Sequence, residues 1–135
     1  MSSLVIDTHT LLWYVSDSAK LSASALSFLV NAERNGESIY VPSISLVEIR
    51  YLVEKGKDVQ ESDFQTILSL LRAGNSALKL APLNLDVAES LVQIPRALVP
   101  DMPDRIIAAT ALALGLPLAT RDSKIQALSN IKIIW

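Results

Sequence analysis

Short runs of consecutive apolar residues alternate with longer segments of mixed polarity along this chain. The apolar runs predict β-strands at residues 4–6, 38–41, 77–81, 116–120 and 131–135. Strands that are apolar throughout, rather than at every second position, are typical of a parallel sheet covered on both faces. The pattern therefore predicts a sheet buried between two layers.

The segments between these runs place an apolar residue at every third or fourth position, which predicts helices. Ser22 and Asn84 are suited to cap helix N-termini, and Gly36 and Gly115 are suited to follow helix C-termini. Strands that alternate with helices predict an α/β fold, a three-layer α/β/α sandwich with a central parallel sheet, formed by residues 1–135 as a single domain. The predicted helices span residues 8–15, 22–35, 43–55, 61–73, 85–94, 104–114 and 123–128.

Composition supports a folded domain and narrows its surroundings. Of the 135 residues, 50% are hydrophobic and only 19% are charged, which excludes a disordered chain. The chain has no cysteine, so we expect no disulfide or thiolate metal site, and we expect a cytoplasmic protein. No apolar run approaches the roughly 18 residues of a membrane span, so no membrane contact is expected. The net charge of −2 argues against a basic nucleic-acid-binding coat, although a site that binds cations supplies its own positive charge.

Four acidic residues stand where a parallel sheet would carry a ligand site. Asp7 ends the first strand, and Asp122 comes just after the fourth. Asp104 begins the helix that leads into the fourth strand, and Glu48 lies in the helix after the second. Ligands bind at the carboxyl ends of the strands in such folds. Carboxylate oxygens are ligands that Mg²⁺ and Mn²⁺ prefer, and clustered carboxylates need a cation to stay ionised together.

Each acid also has a purely structural interpretation. Asp104 suits the first turn of a helix, where a carboxylate interacts favourably with the helix dipole. Asp122 suits the cap of the short helix that follows it, and Glu48 could be an exposed surface residue. Asp7 is harder to explain in this way, since an acid that closes a buried strand is costly without a partner. Four coincidences at one edge are less plausible than one site, so the acid cluster is the hypothesis we adopt.

His9, the single histidine, raises a competing hypothesis of a zinc hydrolase. A His-x-His zinc motif would need a second histidine at position 11, which is Leu11, and the chain offers no further histidine or cysteine. A phosphatase with an Asp-x-Asp nucleophile fails similarly, because position 9 would have to be aspartate. We expect His9 to cap or pack the first helix near the site.

Four stretches carry a resemblance to a known family. They are "IDTHTLLWYVSD", "VPSISLVEIRYLVEKGK", "DMPDRIIAATALALGLPLATRD" and "IKIIW", in this order. In order and spacing they resemble PIN-domain proteins, and more closely the VapC-type ribonuclease toxins of type II toxin–antitoxin pairs. The resemblance covers essentially the whole chain from Leu4, and it depends on all four stretches together, because each alone is loose.

The resemblance implies a metal-dependent endoribonuclease that hydrolyses RNA with Mg²⁺ or Mn²⁺. Relatives in this branch often carry a histidine and a proline around the acid three residues before Asp104, where this chain has "VPDMPDR", so the role of Asp101 stays open. By motif, the catalytic and metal-binding acids implied are Asp7, Glu48, Asp104 and Asp122. The residues implied to orient ligands or water around the metal are Thr8, Ser43 and Thr120. Cations beside the acids in sequence that could contact RNA phosphates, or could be ordinary surface charges, are Arg105, Arg121 and Lys124.

The resemblance also implies partners. VapC-type toxins are usually homodimers neutralised by a cognate antitoxin whose tail fills the acidic groove, and the high apolar content agrees with an oligomer. We expect the antitoxin to dock on the helical hairpin of residues 43–73, through exposed Tyr51, Leu52 and Leu70 or Leu71. A core role for these leucines is the alternative.

Two other functions remain open from the sequence. One is a catalytically silent PIN-like module that binds RNA or an antitoxin without cutting. The other is an RNA-maturation nuclease with no antitoxin. The four intact acids favour the active toxin over the silent module.

Overall fold

Five parallel strands form the centre of the molecule in the computed structural model, which describes residues 3–135. The strand order is β3-β2-β1-β4-β5, and every neighbouring pair is parallel. The first strand therefore lies in the middle of the sheet. The strands are β1 (Leu4–Ile6), β2 (Ile39–Pro42), β3 (Leu78–Ala81), β4 (Leu118–Ala119) and β5 (Ile133–Ile134).

Seven α-helices connect the strands, and they cover both faces of the sheet. The helices are α1 (Thr8–Val15), α2 (Ala23–Arg34), α3 (Ser43–Glu54), α4 (Glu61–Ala73), α5 (Leu85–Ser90), α6 (Met102–Leu114) and α7 (Ser123–Gln126). Ser22 and Asn84 accept hydrogen bonds from the first turns of α2 and α5, as their sequence positions predicted. Gly115 ends α6 with a φ of 66°, a left-handed conformation that glycine adopts without strain.

The sheet separates two apolar clusters, because successive side chains of β1 point to opposite faces of the sheet. Leu4 and Ile6 pack into a cluster with α1, α2, α3 and α4, while Val5 between them packs into a second cluster with α5, α6 and α7. All three side chains are fully buried. The predicted three-layer α/β/α fold is therefore confirmed.

Several helix boundaries differ from the prediction by one to four residues, and two of these differences have a local explanation. The sequence predicted a helix to residue 94, but α5 ends at Ser90, and the chain tightens into a 3₁₀ turn before Ile94 adopts an extended conformation. Pro95 explains this ending, because a residue before proline disfavours the helical conformation. The next helix, α6, begins at Met102 rather than at residue 104, because Asp101 caps it.

The hairpin of α3 and α4 is confirmed, but most of its predicted exposed leucines are not exposed. Leu52, Leu70 and Leu71 are half-buried and pack against the first apolar cluster, so the prediction that they are exposed is wrong, while docking of a partner on this hairpin stays a prediction. Only Tyr51 is exposed, at 60%. The core role, which the sequence left as the alternative, is the correct one for these leucines. Among residues 3–135, no helix is long and apolar enough to cross a membrane.

Candidate metal centre

The carboxyl ends of β1 and β4 lie side by side, at the point in the sheet where the order of the strands changes direction. From β1 the chain moves outward to β2 and then β3, and it later returns to the other side of β1 as β4. In such sheets, ligands bind in the crevice at this reversal. Asp7 follows β1 directly, and Thr120 follows β4 directly. A cleft of about 420 Å³ opens there, and its acidic lining residues are Asp7, Glu48, Asp101, Asp104 and Asp122.

Asp7 is buried and held on both of its oxygens. It caps α1, where its Oδ1 accepts a hydrogen bond from the Thr10 N–H at 2.9 Å. Its Oδ2 accepts a hydrogen bond from the Thr120 hydroxyl at 2.5 Å. The side chain is 8% exposed, so its carboxylate is fixed in orientation at the floor of the cleft.

Thr120 connects two of the acids. Its hydroxyl donates to Asp7 and accepts a hydrogen bond from the Asp122 N–H at 3.0 Å. Asp122 in turn caps α7, because its Oδ1 accepts from the N–H groups of Lys124 and Ile125. The cap and the site are thus compatible roles for Asp122, since the capping residue also lines the cleft.

Glu48, Asp101 and Asp104 form the tightest carboxylate group. One oxygen from each lies within 4.8 Å of the others, so the three could together hold a metal ion. Glu48 comes from the second turn of α3, and its Oε1 accepts a hydrogen bond from the Thr8 hydroxyl at 2.6 Å. Asp101 caps α6, and its Oδ2 accepts from the Asp104 N–H at 3.3 Å. Asp101 therefore joins the cluster that the sequence assigned to four acids.

A signal for Asp101 was present in the sequence. An aspartate two residues before a proline and three before another acid matches an N-cap followed by a helix that opens with proline. The sequence left the role of this residue open, because its distance from Glu48 depends on how α3 packs against α6.

The crowding of these acids changes their protonation. Burial, together with the charges of Asp101, Asp122, Glu48 and Asp7, raises the pKa of Asp104 from 3.8 to about 7. Burial and the charges of Asp101 and Asp7 also raise the pKa of Glu48, while the Thr8 hydrogen bond and His9 act to lower it. Without a cation, therefore, the cluster keeps a proton near neutral pH.

The other residues singled out in the sequence divide into those that reach the cleft and those that do not. Thr8 and Thr120 contact the acids through hydrogen bonds. Ser43 is not among the residues that line the cleft, and its hydroxyl accepts a hydrogen bond from the Leu83 N–H at 3.0 Å. The prediction that Ser43 orients metal ligands therefore has no support from this position.

The three cations have different environments. Arg105 donates from Nε to the Ile94 carbonyl and from Nη2 to the Leu91 carbonyl, both at 2.8 Å, so its guanidinium holds the α5–α6 loop, and Arg105 is not among the residues that line the cleft. Lys124 is exposed and does not line the cleft. Arg121 does line the cleft. This location is consistent with the prediction that Arg121 contacts an RNA phosphate.

His9 and Trp13 complete the rim of the cleft. His9 is exposed and packs against Trp13 at a ring-centroid distance of 5.7 Å, one turn further along α1, as expected for a residue that packs the first helix near the site. With carboxylate donors and one exposed imidazole, the donor set suits a hard cation such as Mg²⁺ or Mn²⁺ and not a histidine-rich zinc site.

Comparison with known proteins agrees with this geometry. The family model described as "PIN domain" matches residues 4–131. Ribonuclease VapC22 from Mycobacterium tuberculosis is 26% identical over 126 residues, which cover 93% of this chain and 92% of that protein.

Two solved structures share the fold across their whole length. One is VapBC2 from Rickettsia felis bound to a DNA fragment from its promoter, with 20% identity, a TM-score of 0.69 and coverage of 97% of this chain and 96% of that chain. The other is DNA-bound VapBC from Salmonella typhimurium, with 20% identity, a TM-score of 0.68 and coverage of 98% and 97%.

Proposed function

This chain belongs to the PIN domain family, and from that premise we propose that it is a Mg²⁺- or Mn²⁺-dependent endoribonuclease that acts as the toxin of a toxin–antitoxin pair. The observation that carries the proposal is the group of five carboxylates in one cleft at the carboxyl edge of the sheet. The ribonuclease relative that matches nearly the full chain supports the choice of RNA as substrate. We also propose that residues 1–135 form one PIN domain and that it works in the cytoplasm, where RNA is available.

Each acid has a distinct part in this proposal. Glu48, Asp101 and Asp104 would hold a divalent cation, with Asp7 and Asp122 beside them. When bound, the cation supplies positive charge for the scissile phosphate and lowers the pKa of a water molecule. The Thr120 and Thr8 hydroxyls would fix the orientation of the Asp7 and Glu48 carboxylates towards the cation, because each donates a hydrogen bond to one carboxylate oxygen.

The raised pKa of Asp104 supports a cation-binding role. A carboxylate that is protonated near pH 7 in the absence of metal must lose that proton when a cation binds. Cation affinity should therefore rise with pH through this range. A purely structural helix acid gains nothing from such an arrangement, which costs stability.

We further propose a protein antitoxin as partner. A cleft of about 700 Å³ lies between α1, α2 and α4, and its apolar lining includes Tyr14, Leu26, Val30 and Leu70. An amphipathic helix could lay its apolar face there, and a basic tail could reach the carboxylates, where an arginine would pair well with them. This groove includes α4, one helix of the hairpin that the sequence suggested, together with α1 and α2.

A homodimer is also part of the proposal. Eight of the ten large apolar side chains that are more than 40% exposed among residues 3–135 lie on α3 and on the segment from β3 to the start of α6, and Leu26 and Leu114 lie elsewhere. The eight are Val47, Tyr51, Leu80, Leu83, Leu85, Val92, Leu98 and Met102. An exposed set of this kind marks an interaction surface. Light scattering would detect the dimer, and replacing both Leu85 and Val92, each 81% exposed, with aspartate should dissociate it.

The test of catalysis is cleavage of a labelled RNA pool that contains single-stranded and structured molecules. The wild-type protein with Mg²⁺ or Mn²⁺ should cut, and Asp104→Asn should not. Asp86→Asn is the matched control, because Asp86 is exposed and outside the cleft. Cleavage that survives in Asp104→Asn would contradict the metal site. RNA binding without cutting by any variant would favour the catalytically silent module.

A further inference from the structure

Trp13 separates the carboxylate cleft from a second cavity. This side cleft, of about 340 Å³, is formed by α1, the loop after it, the α3–α4 connection and α4. Trp13 and His9 line both cavities, so a ligand at the acids passes these rings to enter the side cleft. We propose that the side cleft binds the base of a nucleotide next to the scissile phosphate, so that the substrate is single-stranded at this position. The inference rests on the proposed ribonuclease function.

The side cleft offers aromatic surface for a base. Trp13 is half-buried, and His9 and Trp135 pack against it at ring-centroid distances of 5.7 and 5.9 Å. These contacts hold the Trp13 ring in place without enclosing it. Proteins that bind single-stranded nucleic acid stack bases on aromatic rings of this kind, and a base inside a duplex is not available for such stacking.

Arg121 adds a phosphate-binding group at the same point. Its guanidinium carbon lies 5.2 Å from the centre of the Trp13 ring, close enough for a cation–π interaction. Although five acids share its cleft, Arg121 is not paired with any of them, since the one ion pair among residues 3–135 joins Arg50 to Glu61. Trp13 thus acts as a positioning residue that keeps Arg121 away from the acids and available for a phosphate.

The charges around the side cleft set the orientation of the nucleotide. The Lys20 Nζ lies 6.0 Å from the centre of the Trp13 ring, the same ring that Arg121 contacts. Asp58 and Asp63 also line the cavity, and they would repel a phosphate but accept hydrogen bonds from base amino groups. The phosphate is therefore expected at Arg121 and Lys20, and the base deeper in the cleft. A basic peptide tail would meet two cations at this entrance, which disfavours a protein occupant.

Fluorescence of Trp13 tests the proposal without cleavage. The chain has two tryptophans, so Trp135→Phe leaves Trp13 as the only one. In a Trp135→Phe/Asp104→Asn protein, an uncleavable 2′-O-methyl single-stranded hexanucleotide should change the Trp13 emission in a saturable manner. The same strand annealed to its complement should not.

Variants separate stacking from general electrostatics. Arg121→Ala and Trp13→Ala should each weaken binding of the labelled hexanucleotide, measured by fluorescence polarisation, by roughly 5- to 100-fold. Arg72→Ala removes the same charge from an exposed position outside both clefts, and its affinity should stay within about twofold of wild type. Trp13→Phe retains a ring and should recover much of the affinity, which also guards against a folding defect in Trp13→Ala. In the active enzyme these changes should raise KM more than they lower kcat.

Several outcomes would overturn the proposal. Binding of the single strand with unchanged Trp13 emission would remove the subsite while leaving the ribonuclease function intact. Equal affinity losses in Arg121→Ala and Arg72→Ala, or an equal emission change with the duplex, would also refute it. A response to a basic peptide but not to RNA would assign the side cleft to a protein partner. Conversely, a saturable single-strand response in a protein whose wild type cuts no RNA would support the subsite and contradict the nuclease function.

Discussion

Replacing Asp104 with asparagine should stabilise the metal-free protein at neutral and alkaline pH while it removes cleavage. Burial and neighbouring acids raise the pKa of Asp104 from 3.8 to about 7 in the folded state. The folded protein therefore holds this proton more tightly than the unfolded chain does. Deprotonation of Asp104 therefore destabilises the fold. The free energy of unfolding begins to fall above pH 3.8, the pKa in the unfolded chain, and the fall is complete above about 7, the pKa in the folded protein.

The size of this destabilisation follows from the difference between the two pKa values. The difference between 3.8 and about 7 corresponds to about 4 kcal/mol at 1.36 kcal/mol per pH unit. Because Asp104 is only half-buried, solvent screening should reduce the effect to about 2 kcal/mol. Asparagine has nearly the same shape and no charge, so the variant should escape this cost. A gain of this size corresponds to about 6 °C in Tm for a domain of this length.

The assay is denaturant unfolding in EDTA at pH 4, 6 and 8 for wild type, Asp104→Asn and the control Asp86→Asn. Asp104→Asn and Asp86→Asn should both have the unfolding free energy of wild type at pH 4, and only Asp104→Asn should exceed it at pH 8. Added Mg²⁺ should then stabilise wild type and not Asp104→Asn, because binding to the native state shifts the unfolding equilibrium. An Asp104→Asn protein that is no more stable than wild type at pH 8 would refute the account of a crowded, cation-dependent cluster.

Four further predictions concern the acid cluster, the neighbouring Arg105 and the cation. Asp7→Asn should reduce cleavage by at least about 100-fold with an unchanged circular dichroism spectrum, because asparagine can still accept the Thr10 N–H, and full activity in this variant would exclude Asp7 from the site. Thr120→Val should lower cleavage by about 10- to 100-fold through the loss of its hydrogen bond to Asp7, and an unchanged rate would contradict that orienting role. Arg105→Ala should cost about 1 to 3 kcal/mol of unfolding free energy and leave the KM for RNA unaltered, whereas a raised KM with normal stability would restore the phosphate-contact interpretation. EDTA should stop cleavage and excess Mg²⁺ or Mn²⁺ should restore it, as followed on the same labelled RNA.

The fold was accessible from the sequence because its signals are local. A continuously apolar strand such as Leu4–Ile6, and helix ends marked by Ser22 or Gly115, depend on neighbours in the chain. The meeting of Asp7 with Asp122 also follows from general rules, since both stand at carboxyl ends of strands in a parallel sheet. What the local pattern leaves undecided is how far each element extends, as Pro95 demonstrated for α5.

The hydrogen-bond partners of Ser43 and Arg105 depend on packing between distant elements. The Ser43 hydroxyl is used by Leu83, and the Arg105 guanidinium by two carbonyls of the preceding loop. No sequence spacing predicts these partners, because each pair is brought together by the way α3 and α6 dock on the sheet. The same holds for Leu52, whose helical periodicity permits either a core or a surface position until the neighbouring helix is placed.

The central position of β1 has a consequence for the order in which the protein becomes active. The first strand pairs on one side with β4, which lies more than a hundred residues later in the chain, and the Asp7 carboxylate is held by Thr120 from that late segment. A ribosome adds roughly 5–20 residues per second, so the nascent chain spends on the order of ten seconds with its first acid exposed and unsupported. Over that interval no complete acid cluster exists. A product that terminates before Thr120 would lack the residue that holds the Asp7 carboxylate, so the acid cluster becomes complete only when nearly the whole chain has been made.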